Sequence, residues 1–193
     1  MSAALDLQPR ILYRDALMLI LDKPAGIAVH AGPRGGANLE QGFSALRFGL
    51  PQDPALAHRL DRDTSGCLVL GRHRKALAKL GRLFSSGAIE KTYWAVVEGT
   101  PADESGRIDM ALRKVTSKAG WRMVADPAGQ AAVTAWRVLG KSGDGLTWLE
   151  CKPATGRTHQ IRVHCALALG CPVRGDPVYG DAKGQPLHLH ARA

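Results

Sequence analysis

The chain has 193 residues, of which 45% are hydrophobic and 22% are charged, the balance of a folded globular protein. No apolar run approaches the roughly 20 residues that cross a bilayer, and the N-terminal MSAALDLQPR has no basic and apolar stretches of a secretory signal, so we expect a cytoplasmic protein that does not interact with membranes. The formal charge of +9 favours a polyanionic partner, of which nucleic acid is the commonest.

Three elements are predicted in the first half of the chain. ALMLILDKPAG, residues 16–26, indicates a short apolar strand that ends in a Pro-Gly turn, and CLVLG, residues 67–71, indicates a buried strand. The glycine-rich stretch 32–42 between them is expected as a loop. RHRKALAKLGRLFSSG, residues 72–87, has two leucines and a phenylalanine at helical spacing, with basic residues between them.

Three further strands are predicted in the second half, from KTYWAVVEG at 91–99, AAVTAWRVLG at 131–140 and LTWLECKPA at 146–154. Strands dominate the chain, and the helices do not alternate regularly with them. This arrangement favours an α+β fold on a mixed or antiparallel sheet. No repeat or long polar linker interrupts the sequence, so we expect residues 1–193 to form a single domain.

RTHQIRVHCALALG, residues 157–170, is typical of a helix, with Thr158 as its N-cap and Gly170 as its C-cap glycine. Arg157 and Arg162 fall at its start and in its middle. A helix N-terminus and a guanidinium group both favour anions, so a phosphate or a carboxylate is one candidate ligand. A solvated basic helix face is the alternative.

The cysteines and histidines show no metal-binding pattern. His159 and His164 are five residues apart, whereas a zinc pair on one helix face needs a spacing of four. His188 and His190, within HLH, have no convincing third ligand. We therefore predict no metal site and four reduced thiols, at Cys67, Cys151, Cys165 and Cys171.

HRLDRDTSG, residues 58–66, concentrates charge directly before a predicted strand. Asp61 is flanked by Arg59 and Arg62, and a Thr-Ser-Gly turn sequence follows. A nearby cation keeps a carboxylate ionised, so Asp61 is a candidate nucleophile or general base, and a surface ion-pair cluster is the alternative. Asp63 is the only near second carboxylate, and its place on the same loop argues against a glycoside hydrolase with paired acids.

The sequence resembles the RluA-type family of pseudouridine synthases in four blocks that occur in the family's order: ILDKPAGIAVH, HRLDRDTSG, EKTYWAVVEG, and GRTHQIRVH followed by LGCPVRGDPVYG. The match spans residues 11–190. The resemblance implies an enzyme that isomerises uridine in RNA to pseudouridine, by breaking the N-glycosidic bond, turning the base and rejoining it through carbon 5. It implies no metal or organic cofactor. It also implies a mixed, largely antiparallel sheet, with helices and loops around a central active-site cleft.

The resemblance gives roles to four residues. Asp61 matches the family's essential aspartate, which attacks the sugar or abstracts a ribose proton. Arg162 matches the arginine that pairs with this aspartate, and Tyr93 matches the tyrosine that packs against the target base. Arg59 matches an arginine that, in some relatives, enters the space left by the flipped base. The other two charges of the block, on Arg62 and Asp63, are expected to be structural or solvent-facing.

The expected substrate is ribosomal or transfer RNA, and the expected state is a monomer. Relative to the family we expect no N-terminal S4-type domain and a C-terminal end that stops short. The alternatives are a non-catalytic RNA-binding protein that keeps the fold and a hydrolase that acts on a small glycoside. The basic helix is a second candidate RNA-facing surface, through Arg72, Arg74, Lys75, Lys79 and Arg82.

Overall fold

The computed structural model describes residues 5–32, 35–118, 120–182 and 184–193, and antiparallel strands form the frame of both its units. The units are Met1–Ile89 and Glu90–Ala193. All pairs of strands within each unit are antiparallel, and helices are few, so the predicted α+β fold is confirmed. No helix in the described ranges is long and apolar enough to span a membrane.

The described residues of the first unit form four strands, one α-helix and two short 3-10 helices. The strands are β1 (Ile11–Arg14), β2 (Met18–Lys23), β3 (Ala55–Leu56) and β4 (Ser65–Gly71), the α-helix is α1 (Arg74–Ser85), and the 3-10 helices are Gln8–Arg10 and Leu39–Leu46. Strand β2 pairs with both β1 and β4, and β3 also pairs with β4. The two predicted strands and the predicted helix of this half are therefore confirmed.

Alternation along β2 and β4 builds the buried face of this unit. Leu19 lies opposite Leu70, and Leu21 lies opposite Leu68, and all four side chains are buried. Their spacing of two places them on one side of the pleated pair. The loop predicted over 32–42 is partly wrong, because the 3-10 helix Leu39–Leu46 begins inside it; residues 33–34 lie outside the described residues.

Seven strands lie in the part of the second unit that the structure describes: β5 (Tyr93–Glu98), β6 (Ser105–Asp109), β7 (Leu112–Ser117), β8 (Gly120–Ala125), β9 (Val133–Lys141), β10 (Leu146–Pro153) and β11 (Leu189–Ala191). Five of them form a sheet in the order β11-β5-β10-β9-β6, and β7 and β8 form a separate hairpin. The sheet side chains that face the core include Val97, Leu149 and Leu189. The three strands predicted for this half are confirmed, and the polar hairpin was not predicted.

The predicted helix over 157–170 is shorter and less regular than expected. Helix α2 spans Gln160–Val163, and a π-helical turn continues it over His164–Ala168. The predicted N-cap Thr158 is wrong: the N-cap residue is His159, in a left-handed conformation with a φ of 54° and without a side-chain cap hydrogen bond. The side-chain oxygen of Gln160 instead accepts from the backbone N–H of Arg157, at 3.0 Å. A residue within the helix therefore holds the segment that precedes it. The predicted C-terminal glycine is confirmed, because Gly170 directly follows the C-cap residue, Leu169, with a φ of 65°.

Gly175 lies where two segments of the second unit pass very close to each other. Its φ is +75°, and a Cβ added there would lie 1.9 Å from the carbonyl oxygen of Pro186. Gly184 has a similar φ of +72°, but a Cβ there would meet nothing within 4 Å. The two glycines therefore separate the cost of the left-handed backbone from the cost of a clash.

We expect Gly184→Ala to lower the free energy of unfolding by about 1–2 kcal/mol, the cost of a left-handed alanine. Gly175→Ala should lower it by roughly twice that or more, because the Pro186 carbonyl must also move. Urea unfolding followed by circular dichroism measures both changes. Equal losses in the two variants would contradict the close approach at Gly175.

Candidate active site

Asp61 lies on the loop that enters β4, in the first unit. The backbone N–H of Thr64 donates to the carbonyl of Asp61, at 3.2 Å, and closes a turn around the two intervening residues. Asp61 is half-buried, whereas Leu60 before it and Thr64 after it are buried. The loop is thus fixed to the unit at both ends, and the carboxylate is presented between the two fixed points.

A buried ammonium group anchors this loop. Lys23, the last residue of β2, is only 1% exposed, and its Nζ donates to the carbonyl oxygens of Pro24, Arg62 and Thr64, each at 2.8 Å. A protonated lysine has three N–H donors, so these three carbonyls satisfy it completely. Two of the three belong to the Asp61 loop, so burial of the lysine fixes the backbone on the C-terminal side of Asp61.

Burial lowers the pKa of Lys23 to about 8, and the nearby charges of Asp63 and Asp61 oppose this lowering. Lys23 is therefore mostly protonated at neutral pH, and it keeps all three donors.

Arg62 and Gly26 add two further hydrogen bonds to the loop. The backbone N–H of Gly26 donates to the carbonyl of Arg62, and the Nε of Arg62 donates to the carbonyl of Gly26, both at 3.0 Å. Gly26 has a φ of 85°, a conformation that suits the Pro-Gly turn after β2. Arg62 is thus structural, in agreement with the expectation, and its ion pair with Asp63 is long, at 3.9 Å.

Arg59 is exposed on the same loop. Its neighbour His58 is packed: the imidazole stacks on Phe84 of α1 with ring centroids 4.3 Å apart, and its Nε2 accepts from the N–H of Val69 at 3.0 Å. The two adjacent side chains therefore differ: His58 is packed within the unit, whereas Arg59 is exposed to solvent. An exposed guanidinium on a fixed backbone is suited to contact a phosphate or a base.

Tyr93 and Arg162 both lie in the second unit. Tyr93 begins β5, directly opposite Cys151 and Ala191 of the neighbouring strands, and it packs at the border of the core. Ile161, the residue before Arg162, belongs to the same core. The expected roles of Tyr93 at the base and of Arg162 at Asp61 remain predictions.

Arg162 forms a buried bidentate ion pair with Asp176. The Nε and Nη2 atoms of Arg162 donate to the two carboxylate oxygens, each at 2.7 Å, and the two side chains are 3% and 0% exposed. Two parallel N–H groups of the guanidinium thus bind the two carboxylate oxygens, and this bidentate geometry restricts rotation of the Arg162 side chain. Sequence reasoning missed Asp176, although it lies in the quoted GDPVYG block.

Burial raises the pKa of Asp176, but the hydrogen bonds and charge of Arg162, with the backbone N–H groups of Val178 and Tyr179, bring it below its ordinary value. The two N–H groups donate to Oδ1 at 2.9 and 3.1 Å. The carboxylate is therefore ionised at neutral pH, and it compensates the buried charge of Arg162.

Two further buried residues, Gln160 and His164, bind α2 and the turn after it to other segments of the second unit. The amide of Gln160 donates to the Val133 carbonyl at 2.9 Å and to the Thr134 hydroxyl at 3.0 Å. His164 bonds the same hydroxyl at 2.9 Å and the Met110 carbonyl at 3.2 Å. A carbonyl only accepts, so Nε2 of His164 carries a proton. Burial lowers the pKa of His164, which favours the neutral imidazole.

The sequence matches the RNA pseudouridylate synthase family over residues 17–167. The chain belongs to this family. The resemblance seen in the four sequence blocks is thus confirmed, and the enzymes of the family isomerise uridine in RNA to pseudouridine.

Individual relatives agree with this assignment. The chain is 46% identical over 191 residues to an RNA pseudouridine synthase of Zymomonas mobilis, covering 97% of this chain and 87% of that protein. It is 33% identical to a ribosomal large subunit pseudouridine synthase C of Rickettsia conorii, covering 94% of this chain but only 61% of that protein. A solved human structure, RNA pseudouridylate synthase domain containing 4, superposes with a TM-score of 0.82 at 27% identity, covering 96% of this chain and 83% of that one.

Within this family member, the sequence located the loop of Asp61 but not what holds it. Lys23, which binds that loop, and Asp176, which pairs with Arg162 in the second unit, were both missed; each is a buried charged residue inside a recognised block. One of the basic residues assigned to the candidate RNA-facing helix, Arg72, has structural contacts instead. Arg72 lies before α1, and its guanidinium donates to the carbonyls of Asp15 and Arg47, so it ties segments of the unit together.

Lys23→Met removes the three donors to the carbonyls of Pro24, Arg62 and Thr64, two of which belong to the Asp61 loop. We expect the single-turnover rate of uridine conversion to fall by about 100-fold, because the loop that bears Asp61 loses its positioning, while RNA binding changes much less. Lys141→Met is the matched control, since that lysine is exposed and pairs with Glu104 at the surface. Equal rates in the wild type and Lys23→Met would contradict the role of the anchor.

The same lysine predicts a pH dependence. The wild-type rate should fall as pH rises through about 8, because the deprotonated amine has one donor fewer. The folded pKa lies below the ordinary 10.5, so the Lys23 contribution to the free energy of unfolding should increase between pH 8 and 10.5. Comparison with Lys23→Met isolates both effects, and a contribution that decreases over this range would contradict the assignment.

Asp176→Asn leaves the Arg162 cation buried without its counter-charge. We expect a loss of about 3–5 kcal/mol in the free energy of unfolding, measured in urea. Glu150→Gln is the control, because its partner Arg137 is largely exposed and a surface pair contributes at most about 1 kcal/mol. A loss for Asp176→Asn no larger than for Glu150→Gln would show that the buried pair does not need the charge.

Proposed function

We propose that this chain is an active synthase that isomerises uridines in ribosomal or transfer RNA, with Asp61 as the residue that reacts at the ribose. The observation that carries the proposal is the anchored loop, in which a buried lysine and a glycine turn fix the backbone on the C-terminal side of Asp61. A carboxylate on a backbone fixed in this way is suited to catalysis at one atom of a positioned substrate.

The proposed reaction needs no net addition to the substrate. The bond from N1 to C1′ breaks, a bond from C5 to C1′ forms, the proton on C5 is released, and N1 takes up a proton. Asp61 either attacks the sugar as a nucleophile or takes a ribose proton as a base. A carboxylate serves both routes when it is ionised.

Ribosomal RNA is the favoured substrate among the two. The support is the name of the Rickettsia relative, which acts on the large ribosomal subunit. The formal charge of +9 agrees with a phosphate-rich substrate of either kind. Extraction of a base costs a few kcal/mol of unstacking, which contacts from lysine and arginine to phosphates offset.

The decisive comparison is between Asp61→Asn and Asp63→Asn, two carboxylates on one loop. Ribosomal RNA and transfer RNA, each labelled with tritium at uracil C5, are incubated with the wild type and with each variant, and the released tritium is counted. We expect the wild type and Asp63→Asn to release tritium and Asp61→Asn to be slower by at least about 100-fold, the lower range for loss of an acid-base group. Conversion by Asp61→Asn at the wild-type rate would refute the role of Asp61.

RNA binding is measured on the same samples to separate an inactive enzyme from a binding protein. Wild-type protein that binds both RNAs but releases no tritium would support the non-catalytic RNA-binding alternative. Mapping of the modified position on the RNA that does release tritium would identify the target uridine.

A further inference from the structure

The β7–β8 hairpin carries positive charge and an exposed aromatic side chain that the proposed chemistry does not use. Residues 112–125 contain four basic residues and no acidic one. They also contain Trp121, which is 43% exposed. Exposed tryptophans on a basic surface are typical of proteins that bind single-stranded nucleic acid.

Trp121 is held in a fixed orientation. Its indole stacks on His159 with ring centroids 4.9 Å apart and an interplanar angle of 28°, and the ammonium of Lys114 lies 4.7 Å from the indole centre. Lys114 and Trp121 share one face of the hairpin, because Lys114 lies opposite Met123 and Thr116 lies opposite Trp121. On this face Leu112 and Met123 are buried in the core, whereas Trp121, nearer the turn, is exposed.

The His159 beneath the indole is itself fixed. Its left-handed φ of 54° is costly for a residue with a side chain, so the surroundings must stabilise it. The hydroxyl of Tyr179 accepts from the N–H of Met123 at 2.9 Å and bonds the Nδ1 of His159 at 2.9 Å. One tyrosine thereby joins the hairpin strand to the ring on which Trp121 stacks.

These contacts lead directly to the Arg162–Asp176 pair. The Tyr179 ring lies 5.2 Å from the guanidinium carbon of Arg162, and the Tyr179 N–H donates to Asp176. Trp121 is therefore connected to Arg162 through two intervening side chains, His159 and Tyr179. A nucleotide bound at Trp121 would therefore be separated by two side chains from Arg162, the arginine to which the resemblance gives a role at Asp61.

We propose that Trp121, His159 and Lys114 form a stacking platform for an unpaired nucleotide of the substrate RNA. The indole gives a flat surface that accepts any base, and the flexible stem of Lys114 lets its ammonium move from the indole to a phosphate. The proposal deepens the proposed function, because it rests on RNA as the substrate and adds a contact beyond the target uridine. Its ligand is single-stranded or loop RNA, since paired bases present no free face for stacking.

The test measures the binding of a short fluorescein-labelled oligoribonucleotide, alone and as a duplex with its complement, by fluorescence anisotropy at fixed salt. We expect Trp121→Ala to weaken single-strand binding by about 5- to 150-fold, the range for loss of one stacked base, and to affect the duplex much less. Trp121→Phe should keep most of the affinity, because an aromatic face remains. Lys114→Ala should reduce the salt dependence of binding.

Trp148→Ala is the matched control. Trp148 is 40% exposed on β10 and contacts Trp94 edge-on, so it has similar exposure and an aromatic neighbour outside the platform. The platform is refuted if Trp121→Ala binds single strands as the wild type does, if single strand and duplex weaken equally, or if Trp148→Ala weakens binding as much. Melting temperatures confirm folding, and Trp121→Phe and Lys114→Ala decide the outcome if Trp121→Ala does not fold.

The outcome is independent of catalysis. Wild-type protein that binds single strands through Trp121 but converts no uridine would refute the proposed function and support the platform. Wild-type protein that converts uridine while Trp121→Ala binds and reacts normally would refute the platform and leave the proposed function in place.

Discussion

The three hydrogen bonds of Lys23 are the constraint on which the candidate site of the first unit depends. A buried ammonium group is unfavourable unless each of its donors finds an acceptor, and here the acceptors are three backbone carbonyls at 2.8 Å. Two of those carbonyls belong to the loop that bears Asp61. The energetic requirement of one buried charge therefore becomes a geometric requirement on the loop, and the aspartate gains a defined position without being buried itself.

The second unit applies the same principle to Arg162. Its charge is buried with Asp176 in a bidentate pair, and backbone N–H groups satisfy the carboxylate further. Buried pairs of this kind add little net stability relative to an apolar core, but removal of one partner is costly. Together with the Gln160 and His164 hydrogen bonds, the pair gives the irregular helix one arrangement, where a solvated helix face would allow several.

Charge has two different functions in this protein. The buried cations, Lys23 and Arg162, determine backbone and side-chain geometry, and the exposed cations of the β7–β8 hairpin and of α1 provide attraction to a polyanion. Only the second kind is screened by salt, so salt should affect RNA binding much more than the internal geometry of the site. The formal charge of +9 sums both kinds and does not distinguish them.

The sequence by itself determined the family, the α+β class, the main strands β2, β4, β5, β9 and β10, and the loop of Asp61, because these depend on local apolar periodicity and on residue order within motifs. It did not determine the cap of α2, where the side chain of Gln160, bonded to distant Val133 and Thr134, overrides the local preference of Thr158. Nor did it determine the partners of Lys23 and Arg162, which lie up to 41 residues away along the chain. Burial and hydrogen-bond partners of charged groups are properties of the packed chain, and only the tertiary structure decided them.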